Sequence, residues 1–444
     1  MTDLNEIDLN NNEFQEAYDL VANTNQTFFL TGKAGTGKST FLRYFVENID
    51  KKIVIVAPTG IAARNVGGVT IHSFFQLPPR LFLPNDPDIK WFAPSTNKGN
   101  IIRAMDTLII DEISMVRIDL LSAIDRSLRI NGGNPRLPFG GKQVVFIGDV
   151  FQLPPVPPDK PEDHKIINEL YGSLFFFNSR LFDKTGLKTI ELKKVYRQAD
   201  QGFIEILDNM RIGELETSDI DTINCRVVSK NEVEKLKFAV TLTPTRVMAG
   251  AVNFSKLHSL RTQQCIYQAV VKDKFDPKDY PAAANLALKV GAQVMFLKND
   301  KNKRWVNGTI GHVQKQTDFL IFVQLKDGTT CTVCPERWEN VNYVFNRDKQ
   351  RIEQKVIGTF EQFPLTLAWA TTIHKSQSQT FDQAIVDIGD GTFCGGQAYV
   401  ALSRVTSLEG LFLKREVKPS DFYVDYEVKE FAESCGLIAS VCEN

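Results

Sequence analysis

Residues Gly32-Lys33-Ala34-Gly35-Thr36-Gly37-Lys38-Ser39 satisfy the pattern G-x-x-x-x-G-K-[ST] at every position. Glycines let the main chain curl until its N–H groups point inward at phosphate oxygens. A helix starting just beyond them adds the partial positive charge of its N-terminus. Lys38 then reaches the β- and γ-phosphates, Ser39 offers a hydroxyl to Mg²⁺, and Gly35, Thr36, Gly37 and Thr40 complete the cradle. Further along, the apolar run Leu108-Ile109-Ile110 ends in Asp111-Glu112. Asp111 is placed to hold the metal shell, and Glu112 to orient and deprotonate the attacking water. A third apolar run, Val144–Ile147, leads to Gln152, which is placed to touch the γ-phosphate or the water. These groups together do one kind of chemistry, hydrolysis of ATP with Mg²⁺. Phosphoryl transfer also gains from cations set against the developing charge. Arg197 and Arg404 stand out by context, although spacing alone does not select them from the other basic residues.

The elements that must position these groups are also readable. Continuous apolar or β-branched runs lie at Phe28–Thr31, Ile53–Ala57, Leu108–Ile110, Val144–Ile147, Val240–Thr243 and Gln383–Ile388, each followed by a turn and a helical pattern. Unbroken apolar strands alternating with helices predict parallel sheets covered on both faces. Their two groupings predict two α/β lobes. Residues Leu77–Asn100 are rich in proline and aromatics and lack periodicity, which predicts an inserted subdomain or exposed arm. Residues Val294–Thr359 are rich in β-type segments punctuated by Asn307-Gly308 and Asp327-Gly328, which predicts a small antiparallel module within the second lobe.

Composition narrows the rest. The chain has 444 residues, 43% hydrophobic and 24% charged, which fits a soluble multidomain protein. A net charge of −1 excludes a protein that coats nucleic acid by bulk charge, so any such contact needs a local groove. No apolar run approaches the ~20 residues needed to span a bilayer, and the acidic, polar N-terminus does not read as a presequence. Seven scattered cysteines predict no disulfide framework and a reducing compartment. Cys331 and Cys334 have metal-knuckle spacing without a second pair or a nearby histidine, and read as ordinary strand residues.

Several segments together resemble the Pif-one family of DNA helicases, in the RecD-like branch of superfamily one. The motifs that carry the likeness are Asp111-Glu112-Ile113-Ser114-Met115 with the following Arg117–Ile130, Pro138–Gln143 leading into Gly148-Asp149, and Gln152–Val156. The second half adds Gly291–Met295, Val306-Asn307-Gly308, Pro364–Ala370 and Thr372–Gln377. The resemblance implies two RecA-like P-loop domains. The first covers 1–76 and 101–182, with an arm at 77–100 that meets the duplex. The second covers 183–293 and 360–430, with an SH3-like barrel at 294–359, and 431–444 form a tail.

The same likeness implies that Gln15 hydrogen-bonds adenine and that Arg197 and Arg404 approach the γ-phosphate. Single-stranded DNA would be held by Pro58, Thr59, Gly60, Thr70, His72, Ser73, Phe74, Thr372, His374 and Lys375. Phe74 and Phe75 could stack bases, with a core role as the alternative. Partners implied are single-stranded DNA, single/double-strand junctions and G-quadruplex DNA, with no membrane and a monomer in the free form. The location implied is the bacterial cytoplasm, with the nucleoid. One position departs from the family: Ser378 stands where glycine is usual, a costly choice if the backbone there has positive φ. A DNA-stimulated remodelling ATPase without unwinding is the competing reading, and the motor subunit of a recombination nuclease is a third.

Overall fold

The computed structural model describes residues 11–183 and 186–439. The tail's last residues, Cys442 among them, and the start of the first domain lie outside these. The chain forms two compact units. The first takes in the residues up to Tyr196 together with Val341–Lys355 and the residues from Asp425 onward; the second takes in Arg197–Asn340 and Val356–Val424.

The first unit is built on six strands: β1 (Phe28–Gly32), β2 (Ile53–Ala57), β3 (Val69–Thr70), β4 (Thr107–Ile110), β5 (Gln143–Ile147) and β6 (Lys188–Leu192). Their order is β3-β2-β4-β5-β1-β6, and every pairing is parallel. The expected domain boundary at 182/183 falls before β6, and the pairing of β6 with β1 keeps the chain in this unit as far as Tyr196. The helices are α1 (Asn12–Asn23), α2 (Lys38–Asn48), α3 (Gly60–Asn65), α4 (Ile71–Phe75), α5 (Asn97–Ala104), α6 (Ile118–Gly132) and α7 (Pro161–Tyr171).

Helix α1 shows how sequence makes such an element. Asn11 caps it, its side chain accepting from the Phe14 amide at 3.0 Å. Phe14, Ala17, Leu20 and Val21 recur at helical spacing and are buried. Phe14 meets Phe41 of α2 edge to face, with ring centroids 4.4 Å apart. Both helices thus join one apolar core with Leu30, Val145 and Ile190 of the sheet. The Tyr426–Ser434 helix also belongs here, its Phe431 ring stacked on Phe177 at 4.3 Å.

The proline-rich stretch between α4 and α5 is irregular, as expected, but it is tightly held. Two buried polar residues of α6 grip its main chain. Asp119 accepts from the Phe82 amide at 3.0 Å. Asn131 accepts from the Phe92 amide at 2.7 Å and donates to the Lys90 carbonyl at 2.9 Å. Arg80 binds Asp86 through both guanidinium nitrogens at 2.7 Å. Phe82, Ile89 and Phe92 are buried, while Leu83 and Trp91 face outward.

In the second unit, β7 (Val240–Thr243), β18 (Ala370–Thr372), β19 (Ala384–Val386) and β20 (Leu411–Leu413) form a parallel sheet of order β18-β7-β19-β20. Helices α8 (Gln201–Ile212), α9 (Thr217–Asn224), α10 (Lys230–Lys235), α11 (Arg246–Ser259) and α12 (Gln397–Leu402) accompany it. Between β7 and β18 the strands are antiparallel. They are β8 (Gln264–Gln268), β9 (Val270–Asp273), β10 (Asn285–Lys289), β11 (Gln293–Phe296), β12 (Ile310–Gln316), β13 (Ile321–Leu325), β14 (Thr330–Val333), β15 (Glu336–Asn346), β16 (Arg351–Gln362) and β17 (Leu365–Leu367). This region starts before, and ends after, the 294–359 span read from sequence. The five-stranded sheet β14-β13-β12-β11-β17 carries its apolar centre, which includes Val294, Phe296, Val313 and Val323.

Candidate nucleotide and single-strand sites

Because the strands of the first sheet are parallel and β5 lies between β4 and β1, the turns after β1, β4 and β5 emerge side by side at one edge. That is where ligands bind in open α/β sheets. After β1, Gly35 and Gly37 take φ of 87° and 84°, the conformation glycine reaches at least cost. A Cβ on Gly32 would lie 2.6 Å from the Thr36 hydroxyl and 2.7 Å from the Leu192 carbonyl, so no side chain fits there. Helix α2 begins at Lys38 with Gly37 at its N-cap, so no side chain caps its first turn. The Lys38 ammonium is held over the loop by the Gly32 and Lys33 carbonyls, the latter at 3.0 Å.

After β4, Asp111 is buried and Glu112 sits in the left-handed region at φ 50°. A non-glycine residue there is strained, commonly at a functional site. Burial, and then the Glu112 carboxylate, push the Asp111 carboxyl well above its usual range, and Lys38 pulls the other way. A buried carboxylate so short of positive charge, joined by the Ser39 hydroxyl, is an oxygen donor set that fits Mg²⁺. Among the described residues no cluster of three His, Cys, Asp or Glu side chains offers a cation more than this. After β5, Gln152 is buried and its amide group donates to Asp149 at 3.3 Å, which fixes it at the same edge.

Gln15 lies on the exposed face of α1. Tyr196 was not anticipated. Its amide donates to the Gly35 carbonyl at 2.9 Å, and its exposed ring lies 3.8 Å from where a Gly37 Cβ would be. Its place next to Arg197 in the sequence was the one available signal.

In the second unit Arg197 and Arg404 do come together. Arg404 is 2% exposed, its guanidinium donating to the Val400 carbonyl at 2.8 Å and to the Ser403 hydroxyl at 2.9 Å. Arg197 donates to the Ser403 carbonyl at 3.1 Å. Burial, and then the neighbouring Arg404 charge, bring the Arg197 pKa down to about 9. Two guanidinium groups of like charge thus lie close together, and each lowers the cost of an anion arriving beside the other.

The expected DNA residues divide between the units. Strands β2 and β3 pair through Val56–Val69 and Ala57–Thr70, so the turns after them are adjacent. Pro58 and Thr59 follow β2, and Thr59 caps α3, accepting from the Ala62 amide at 3.2 Å. Gly60 opens α3, whose first turn borders that edge. Thr70 caps α4 in the same way, accepting from Ser73 at 3.3 Å. Ser73 is exposed and His72 half-buried, its pKa lowered by burial and then by Arg117. Phe74 is different. It is 0% exposed, edge-on to Phe75 at 4.8 Å and to Tyr343 at 5.9 Å, with the Lys98 ammonium 4.3 Å from its ring centre. It is a core residue with no face to offer a base, because the aromatic pair turns inward beneath the sheet edge. In the second unit Thr372 ends β18 and accepts from the Lys375 amide at 3.2 Å. His374 is half-buried and Lys375 exposed. Burial, and then Arg246 at the start of α11, lower the pKa of both. Arg246 carried no signal in the sequence. Ser378 has φ of 61°, the conformation that makes serine costly.

Comparison with known proteins identifies the family of the chain. The family model described as PIF1-like helicase matches residues 9–221. The ATP-dependent DNA helicase Pif1 of Bdellovibrio bacteriovorus is 34% identical over 427 residues, covering 94% of this chain and 90% of that protein. The crystal structure of Bacteroides sp. Pif1 in complex with ADP-AlF4 superposes with a TM-score of 0.88 at 38% identity, covering 96% of this chain and 97% of that one. Bacteroides Pif1 bound to single-stranded DNA superposes at 0.67 with 39% identity, covering 95% and 96%. The chain belongs to the Pif1 family of ATP-dependent DNA helicases.

Proposed function

We propose that this chain is a DNA-stimulated motor that hydrolyses ATP at the edge of the first sheet and moves along single-stranded DNA in the 5′ to 3′ direction. Lys38 and the loop Gly35–Thr40 bind the phosphates and Gln15 the adenine. Ser39 and Asp111 would hold Mg²⁺, which would offset the negative charge of the phosphates. Glu112 takes the proton of the attacking water, and Gln152 orients that water against the γ-phosphate. Arg197 and Arg404 stabilise the charge on the transferring phosphoryl group. Pro58, Thr59, Gly60, Thr70, His72, Ser73, Thr372, His374 and Lys375 bind the strand through main-chain groups, hydroxyls and positive charge, a mode indifferent to base sequence.

The observation that carries this reading is the convergence of the phosphate loop, Asp111-Glu112 and Gln152 at one sheet edge. The strand itself is supported by the relative that binds single-stranded DNA. Substrates extend to forked duplexes, DNA–RNA hybrids and G-quadruplexes, and the free protein is a monomer. No helix of the described residues is long and apolar enough to cross a membrane.

The test is strand displacement with a 5′ single-stranded tail, run beside ATP hydrolysis with and without that strand. ATP-dependent displacement with strand-stimulated hydrolysis is the expected result. Hydrolysis without displacement would turn the assignment toward a remodelling switch.

A further inference from the structure

The loop between β19 and α12 displays a largely exposed aromatic ring. Phe393 is 60% exposed. The imidazole of His374 lies nearly parallel to it, 10° between planes and 6.3 Å between centroids. The loop is held firmly beneath that ring. Arg415 donates to the Gly389 carbonyl at 2.6 Å, the Thr392 hydroxyl to the Asp421 carbonyl at 3.0 Å, and the Phe393 amide to the side chain of the fully buried Gln397 at 3.2 Å. A single exposed ring is ordinary on a protein surface; what sets Phe393 apart is a braced loop beneath it and an imidazole lying parallel to its face.

Topology places this ring usefully. β18 and β19 flank β7 in a wholly parallel sheet, so the segment after β18 and the loop after β19 rise from the same edge. The first carries His374 and Lys375, and Arg246 lies close enough to both to lower their pKa. Cations for phosphate thus stand beside a flat apolar face, the pairing by which single strands are held without sequence preference.

We propose that Phe393, backed by His374, is a base-stacking platform for single-stranded nucleic acid on the second unit. It rests on the reading that the Thr372–Lys375 segment grips the strand. Stacking needs a π face on the ligand, whereas the grip of Lys375 needs only the phosphate chain.

Binding of the full-length protein to a fluorescent oligo-dT and to an abasic deoxyribose-phosphate strand of the same length separates the two. Phe393→Ala is expected to weaken oligo-dT binding by about tenfold and leave the abasic strand unchanged. Phe393→Trp is expected to restore oligo-dT binding, and Lys375→Ala to weaken both strands alike. If Lys375→Ala weakens both while Phe393→Ala weakens neither, or both equally, the platform is refuted and the grip stands. If Lys375→Ala changes neither strand, the grip itself is refuted and the platform loses its basis.

Discussion

Replacing Arg197 with methionine should make the nucleotide-free protein more stable while disabling its turnover. Arg197 is brought from the ordinary guanidinium range down to about 9, by burial and then by Arg404. That distance corresponds to roughly 5 kcal/mol disfavouring the charged guanidinium in the fold. The residue keeps some contact with water, and screening reduces this to about 2–3 kcal/mol. Losing the hydrogen bond to the Ser403 carbonyl takes back about 1 kcal/mol. The remaining 1–2 kcal/mol should raise the melting midpoint by about 2–6 °C in a unit of this size. The direction with pH follows from the same gap. Because the charged form is the one the fold disfavours, the wild-type protein gains stability as pH rises through about 9, and the variant lacks that gain. Thermal unfolding of both proteins at pH 7 and at a pH well above 9, with and without ADP-AlF4, measures this directly. The nucleotide analogue should stabilise wild type more than the variant, and ATP turnover of the variant should fall by about 10³-fold. A variant that melts below wild type without nucleotide, or turns over normally, would overturn the two-cation account.

Glu112→Gln should still bind ATP but hydrolyse it ~10²–10⁴-fold more slowly, as single-turnover kinetics would report; unchanged turnover would remove Glu112 from the role of base. Ser378→Gly should relieve about 1–2 kcal/mol of left-handed strain and return about 0.4–1 kcal/mol to the freer unfolded chain, a small net gain visible in urea unfolding. A loss of stability would mean that the serine side chain contributes more than its backbone costs. The Arg80 guanidinium holds the Asp86 carboxyl down at about 2. Its stabilisation is therefore present above the ordinary carboxylate range near 3.9 and lost as pH falls through about 2. Asp86→Asn should flatten that acid limb and speed proteolysis between Arg80 and Phe92 at neutral pH; an unchanged cleavage rate would show that the ion pair does not hold the segment.

The phosphate loop was legible because its function is written in consecutive residues, and the motif names Gly32 and Gly37 although not Gly35, which curls it as well. The parallel sheets were legible because strands buried on both faces are apolar without interruption. Other features depend on contacts that no local pattern announces. Asp119 and Asn131 sit within an amphipathic helix as ordinary polar residues, and only the fold shows them holding the segment from Arg80 to Phe92. Phe74 follows a strand edge in a motif associated with DNA, yet its ring turns inward under Lys98. Strands β8 and β9 escaped the expected β module because their alternation is weak: β8 buries only Tyr267 well, and β9 is exposed throughout. The pairing of Arg197 with Arg404 joins residues far apart in sequence and followed from family likeness rather than from spacing.

The way α6 holds the irregular segment bears on how freely that segment can change. Asp119 and Asn131 grip amide and carbonyl groups, which every residue but proline supplies alike. The course of the chain is therefore set partly from outside, by two side chains on a helix, and partly by a few of its own residues, the Arg80–Asp86 pair and the buried Phe82, Ile89 and Phe92. Outward positions such as Leu83 and Trp91 can diverge widely without altering the path of the chain. A library that randomises them while keeping Asp119, Asn131, Phe82 and Phe92 should yield mostly folded proteins with new surfaces beside an unchanged motor.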